Sequence, residues 1–345
     1  MAEGSDRGGQ AGQGPVIRDI LTRKRMMVFS GTTHPALAEE IAACLGISLS
    51  PVDIHRFASG EIYVRYHDSV RGADAFVIQT HTDPINESIM ETLVMLDALK
   101  RASAKRITAV IPYFGYSRQD HKALSREPIS AKLIADLLTV AGADRVISVD
   151  LHSGQIQGFF DFPVDHLTGL PLLISYVEQN VPEPSELVVC APDAGRVKTA
   201  ERLRKELHAD LAFLYKRRSR MEAHKIEEVV VVGDVAGRRC ILVDDMVDTA
   251  GTMVEGAKAL TAAGATEVFA GATHPVLSGK AVQRIAESPI KDLIVTNTLP
   301  ISNDRTQVLG DRLKICSIAE IVASALNAVF EDESVSELFH GENQP

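Results

Sequence analysis

Short, almost unbroken apolar runs recur along the chain, and helical patterns separate them. The runs are MMVF (26–29), AFVIQ (75–79), RITAVIPYF (106–114), RVISVDLH (145–152), ELVVCAPD (186–193), CILVDD (240–245), VFAGATH (268–274) and LIVTNT (293–298). A strand with one wet face alternates apolar and polar residues, and most of these do not. Both of their faces must be covered, which is how strands read in a parallel sheet with helices on either side. Helical stretches fill the gaps: one ends at Gly46, one spans about 86–101, and one spans 129–141 and stops at Gly142. The class is α/β, with mainly parallel sheets flanked by helices.

The pattern repeats weakly within the chain. At an offset of 162, Ala38, Glu39, Leu45 and Leu49 fall on Ala200, Glu201, Leu207 and Leu211. At an offset of 165, residues 75–87 fall on 240–252 and place Asp83 over Asp248. A three-residue insertion reconciles the offsets, so a duplicated α/β unit is expected, joined near 163–171 where Pro163, Gly169 and Pro171 break the pattern. A chain of 345 residues has room for two such domains. The expected division is a disordered tail over 1–23, a first domain over 24–167, a second over 168–328 and a C-terminal tail over 329–345.

Charge and composition narrow the partners. A net charge of -10, no Trp and 5% aromatics argue against nucleic acid or an anionic membrane as the main partner. No apolar run reaches the ~18 residues of a membrane span, and the glycine-rich first fourteen residues carry no signal-peptide core. Cys44, Cys190, Cys240 and Cys316 lack metal spacing and are expected as buried thiols in a reducing cytosol, giving a cytoplasmic location.

The most informative segment is residues 240–264. An apolar strand ends in Asp244 and Asp245. The loop Asp248-Thr249-Ala250-Gly251-Thr252 then enters a helix closed by Gly264. Small residues at a helix N-terminus offer backbone N–H groups and a positive dipole end to an anion. The two threonines add hydroxyl donors, and Gly251 allows close approach. The paired acids cannot hold phosphate but suit sugar hydroxyls or a metal ion. A phosphorylated sugar satisfies both. An ordinary strand–turn–helix with a capping residue is the weaker alternative, because two adjacent acids end the buried strand.

This loop resembles that of type I phosphoribosyltransferases. Further matches are FASGE (57–61), PYFGYSRQDHK (112–122), SREPISAKL (125–133), VDLHSGQIQGFFDFPVDH (149–166), PDAG (192–195) and KRR (216–218). Together they make the chain similar to the ribose-phosphate diphosphokinases, in their phosphate-activated class, from about residue 26 to 340. The resemblance implies two phosphoribosyltransferase-like domains. It also implies transfer of the diphosphoryl group of Mg-ATP to ribose 5-phosphate with release of AMP, a product feeding nucleotide, histidine and tryptophan biosynthesis.

Site roles follow from the same resemblance. Phe57, Ser59, Gly60 and Glu61 would form an adenine pocket lent by a neighbouring subunit, with Ser59 standing where Asp or Asn is usual. Arg118 and Gln119 would bind ATP; a guanidinium and an amide side by side suit a nucleotide. His152 and Asp193 would serve magnesium, for which Asp193 is the natural oxygen ligand. Lys216 and Arg218, on one side of an extended segment, would act on developing charge. Asp244, Asp245, Asp248, Thr249, Ala250, Gly251 and Thr252, with Arg218, would hold ribose 5-phosphate. Ser69, Arg71, Ser103, Ser334 and Ser336 would form a regulatory site for phosphate or ADP between subunits of a homo-oligomer, commonly a hexamer.

Two other readings stay in view. A phosphoribosyltransferase would use the 244–252 loop but would not need FASGE, RQD or KRR. A non-catalytic regulatory homologue should have lost Lys216, Asp193 or the loop residues, and all are present.

Overall fold

The structure is a computed structural model that describes residues 24–183, 186–217 and 228–339. The tail expected over 1–23 and Arg218 lie outside the described residues. The first half runs β1 (Met26–Ser30), α1 (Pro35–Cys44), β2 (Val52–Arg56), β3 (Ile62–Tyr66), β4 (Asp74–Ile78), α2 (Ile85–Arg101), β5 (Arg106–Ile111), α3 (Ser130–Ala141), β6 (Arg145–Val149) and β7 (Val164–Leu167). Five of these strands form a parallel sheet ordered β1-β4-β5-β6-β7, while β2 and β3 pair as a separate antiparallel hairpin.

The second half runs α4 (Leu170–Asn180), β8 (Val188–Ala191), α5 (Val197–Leu207), β9 (Asp210–Arg217), β10 (Glu228–Val232), β11 (Arg239–Val247), α6 (Gly251–Ala262), β12 (Glu267–Pro275), α7 (Ala281–Ala286), β13 (Ile290–Thr296), α8 (Asn303–Leu309), β14 (Leu313–Cys316) and α9 (Ala319–Glu331). Its sheet is ordered β10-β9-β8-β11-β12-β13-β14, with only β10 antiparallel to its neighbour. The offset of 162 carries β1 and α1 onto β8 and α5, and the offset of 165 carries β4 and α2 onto β11 and α6. The halves are two phosphoribosyltransferase-like units. They differ in their hairpins: β9–β10 joins the second sheet, and β2–β3 packs on α2 through Val52, Ile54, Val64 and Tyr66 instead.

The apolar runs follow from two covered faces. Met27, Phe29, Ala75 and Val77 face the core under α2 and α3. Their alternates Val28, Phe76 and Ile78 face the core under α1 and α9. Helix α4, the first helix after 167, buries Leu170, Leu173 and Val177 against Val189, Ala200 and Leu203 of its own half. The packing departs from the expected division only at 328/329. Helix α9 follows the second sheet but buries Val322, Ala325 and Leu326 against Val28, Ile41 and Phe76 of the first. The second half thus lends its last helix to the first, which ties the halves together. Cys44 also departs from expectation: it is exposed, being the last residue of α1, while Cys190 and Cys240 are buried and none of the four is paired.

Backbone demands are local and specific. Pro35 begins α1, and Gly142 ends α3 in the left-handed region with φ of 110°. Gly233, just after β10, has φ of +134°, and a Cβ there would lie 2.7 Å from the Ala212 Cβ and 3.0 Å from its Cα. Because the crowding includes backbone on β9, Gly233→Ala is expected to cost about 2 kcal/mol. Thermal unfolding checks this: a clear drop in Tm is expected, and an unchanged Tm would show that the hairpin relaxes freely.

Candidate active site

Five of the parallel strands bring chemistry-bearing residues to their carboxyl ends, the edge where open α/β sheets place ligands. Strand β11 delivers Asp244 and Asp245, then Asp248 and the loop into α6. Ala250 is left-handed, with φ of 60°, an uncommon state for a residue with a Cβ. Ala250, at the N-cap of α6, has no side chain to cap it, and the first turn holds no acid. Its leading N–H groups are therefore left for an anion. Thr249 is exposed, and its carbonyl accepts from Arg284 Nη1 of α7 at 2.9 Å, which fixes the loop from outside. Gly251 has an ordinary φ. Its role is space, since a Cβ would meet only Thr249 Oγ1 at 3.8 Å and Arg284 Nη1 at 4.0 Å.

Behind the loop lies a charged cluster that spans both halves. Arg196, just before α5, places Nε 2.8 Å from Asp244 Oδ1 and Nη2 3.0 Å from Asp245 Oδ1. His152, beyond β6, brings Nδ1 to 2.6 Å from Asp245 Oδ2 and 2.9 Å from Arg196 Nη2. A guanidinium cannot accept, so the ring's Nδ1–H belongs to the carboxylate. Burial first, then the adjacent Asp245, pushes the Asp244 carboxyl up to about 8. Burial also opposes charge on Asp245, but hydrogen bonds from His152 and Asp244, with Arg196 beside it, hold that carboxyl well below its usual range. The same buried pair is thus pulled in opposite directions, Asp244 upward and Asp245 downward.

Of the residues expected to bind ATP, Arg118 and Gln119 stand at the same edge. Arg118, in the loop after β5, pairs through Nη1 with Asp248 Oδ2 at 2.7 Å. Gln119 accepts from Ser130 Oγ at 2.7 Å and so ties its loop to the start of α3. Asp193, beyond β8, is exposed, and one carboxylate oxygen accepts from Gly195 N at 2.8 Å. Lys216 sits near the end of β9, opposite Val229 of β10. Phe57, Ser59, Gly60 and Glu61 form the β2–β3 turn: Phe57 N donates to Glu61 O at 2.9 Å and Ser59 Oγ to Glu61 Oε2 at 2.6 Å. Phe57 is 51% exposed, its ring 5.6 Å from His55 and 5.9 Å from Tyr63, so an aromatic surface faces outward.

Magnesium can be tested against these donors. Among the described residues no group of three or more His, Cys, Asp or Glu could hold a metal. Asp245 does fix the His152 ring through Nδ1, which leaves Nε2 as the acceptor of the neutral ring, the arrangement of a metal-binding histidine. Asp193 keeps one carboxylate oxygen without a hydrogen bond among the described residues. Two protein donors suit an ion that takes its remaining ligands from water and substrate phosphates, which is how magnesium is commonly held.

The proposed regulatory residues lie elsewhere, at the amino-terminal ends of β1, β4 and β5. Ser69 O accepts from Arg25, and Gly72 N donates to Ser103 O at 3.0 Å. Ser334 and Ser336 share a hydrogen bond at 2.9 Å, near Asp332, which pairs with Lys24 and Arg106. Arg106 in turn grips Asp74 at 2.6 Å, linking the two segments. Arg71 has no ion pair among the described residues and is exposed.

Arg196 and Arg284 contact the candidate site residues and are not singled out by the sequence. The signal for Arg196 was a cation at a helix start, where the dipole disfavours it unless acids face it.

Fold and site define a transferase built from two phosphoribosyltransferase-like halves, with the 248–252 loop at the carboxyl edge of the second sheet. Residues 26–142 match the family model described as the N-terminal domain of ribose phosphate pyrophosphokinase, and residues 191–340 match the phosphoribosyl synthetase-associated domain. The chain is 54% identical over 316 residues to ribose-phosphate pyrophosphokinase of Streptomyces coelicolor, covering 92% of this chain and 96% of the relative. It is 51% identical over 321 residues to that of Mycobacterium bovis, covering 93% and 97%. The crystal structure of phosphoribosylpyrophosphate synthetase from Mycobacterium smegmatis superposes with a TM-score of 0.84 at 49% identity, covering 90% of this chain and 100% of that one. The chain belongs to the ribose-phosphate pyrophosphokinase family and is a diphosphotransferase.

Proposed function

We propose that this enzyme makes 5-phospho-α-D-ribose 1-diphosphate from ribose 5-phosphate and Mg-ATP, releasing AMP. The observation that carries the reading is the uncapped N-terminus of α6 beside the paired acids Asp244 and Asp245, with Arg118 of the other half on Asp248. The loop 248–252 holds the 5-phosphate, and the acids take the ribose hydroxyls. The anomeric oxygen bonds to the β-phosphorus, the bond from that phosphorus to the α-phosphate oxygen breaks, and the electron pair leaves with AMP. The hydroxyl proton passes to water, so no protein base is required. His152 and Asp193 would hold Mg2+, which when bound supplies charge neutralisation on the polyphosphate. Arg118 and Gln119 orient ATP, and Lys216 with Arg218 stabilises charge on the leaving group. A phosphoribosyltransferase would have no use for the nucleotide-side residues gathered at the same edge. The test is AMP formation from ATP that requires ribose 5-phosphate and a divalent metal; ADP as product would make this an ordinary kinase.

The outward ring of Phe57 supports an adenine pocket completed by a neighbouring subunit of a homo-oligomer, a hexamer in this reading. Phe57→Ala and Asp248→Ala chains are each expected to be nearly inactive and to regain activity when mixed under subunit exchange. Proven exchange without recovery would place the whole site in one chain.

Phosphate and ADP are the expected effectors at Ser69, Arg71, Ser103, Ser334 and Ser336, with Arg71 the charged donor to the anion. Arg71→Ala is expected to blunt phosphate activation and ADP inhibition at saturating substrates. Steady-state rates at varied phosphate check this, and ADP inhibition purely competitive with ATP would remove the site. A cytoplasmic location accords with unpaired cysteines and with the finding that no helix among the described residues is long and apolar enough to cross a membrane.

A further inference from the structure

His274 lies one residue before the end of β12 in the second half and is 1% exposed, yet one of its two ring nitrogens faces the first half. Nε2 lies 3.0 Å from Val149 O and 3.1 Å from Asp150 O, at the carboxyl end of β6. Two carbonyls can only accept, so Nε2 carries the proton and is shared between them. Nδ1 is then the acceptor of a neutral ring and takes the hydroxyl of Thr298 at 2.9 Å. Thr298 is itself tied across the halves, its carbonyl accepting from Thr80 Oγ1 at 2.8 Å.

The groups held this way lead straight to the site. Asp150 is two residues before His152, and its own backbone is left-handed, with φ of 36°. Its carboxylate accepts from Gly169 N at 2.8 Å and from the Thr273 hydroxyl, so the turn is held from both halves. On the other side, the His274 ring packs edge-on against Tyr113 at 5.0 Å, and Tyr113 starts the loop that carries Arg118. In register, His274 stands opposite Met246, one residue beyond Asp245 on β11. One buried imidazole therefore touches the segment bearing His152, the segment bearing Arg118 and the strand bearing Asp244 and Asp245.

We infer that His274 is a positioning residue that sets the two halves of the active site at the spacing diphosphoryl transfer requires. This rests on the reaction proposed above. Each substrate is held mainly by residues of one half or of the loop, so loosening the junction should leave the individual binding sites in place. What it degrades is the alignment of the anomeric oxygen with the β-phosphorus, and a misplacement of ~1 Å can cost on the order of a hundredfold in rate.

The experiment compares wild type with His274→Phe, which fills the space without a donor, and His274→Gln, whose amide N–H replaces that of Nε2. His274→Phe is expected to lower kcat by about 10–100-fold while KM for each substrate stays within about threefold. His274→Gln is expected to recover most of the rate. Thr298→Val removes the hydroxyl on Nδ1 and is expected to show a smaller loss with the same split, which keeps the test available if the Phe variant fails to fold. A folded His274→Phe enzyme at wild-type kcat, a loss confined to KM, or a Gln variant no better than Phe would overturn the role. Wild-type enzyme that makes no AMP would instead overturn the reaction on which the role depends.

Discussion

Lys216→Ala is expected to lower kcat by about 10²–10³-fold while KM for ATP and ribose 5-phosphate each move by no more than about threefold. The residue stands near the end of β9, paired in register with Val229, on the antiparallel hairpin at the edge of the second sheet. The remaining site charges surround the sugar loop and the paired acids, and Arg118 is already engaged with Asp248. A cation on the edge hairpin is suited to charge that appears only as AMP departs. Such a group contributes in the transition state and little in the ground state, so its loss falls on kcat. Steady-state kinetics on both substrates decide the matter. An unchanged kcat with a raised KM for ATP would make the residue a binding clamp.

Removing Arg196 should have the second large effect, on stability and sugar binding together. Its side chain is 14% exposed, and it bridges Asp244 and Asp245, which are 16% and 7% exposed. Taking away one partner of a buried ionic cluster leaves uncompensated charge, at a cost of about 3–5 kcal/mol. Arg196→Leu is therefore expected to unfold at markedly lower temperature or denaturant. The KM for ribose 5-phosphate is expected to rise by about tenfold, because the freed acids no longer face the sugar, a change of ~1.4 kcal/mol. Arg196→Lys should rescue only part of this, since an ammonium cannot reproduce the fork that reaches both acids. A melting curve and a sugar KM both equal to wild type would show that the cluster is held by other groups.

Much of this was legible in the sequence because it is local. Fully apolar strands report two covered faces, and β1, β4, β5, β6, β8, β11, β12 and β13 all lie where such runs occur. The loop 248–252 carries its chemistry in consecutive residues. The hairpin strands β2 and β3 were harder to see, because Val52-Asp53-Ile54 alternates on a half-exposed surface and carries no core signal on one face. β14 is only four residues long. The packing of α9 on the first half could not be read at all. The helix has an ordinary amphipathic face, and nothing in a helix says which sheet will cover it. The same holds for the Arg196 cluster and His274, whose meaning comes from partners such as Asp245 and Val149, 49 and 125 residues away in the chain.

The most direct test of diphosphoryl transfer follows the β-phosphorus itself. ATP labelled at the β-phosphate is incubated with the enzyme, ribose 5-phosphate and magnesium, and the label is located after separation of sugar and nucleotide. The label is expected to move wholly into the sugar product, with unlabelled AMP formed in equal amount. Label remaining in the nucleotide pool as ADP, while only the γ-phosphate reaches the sugar, would contradict it.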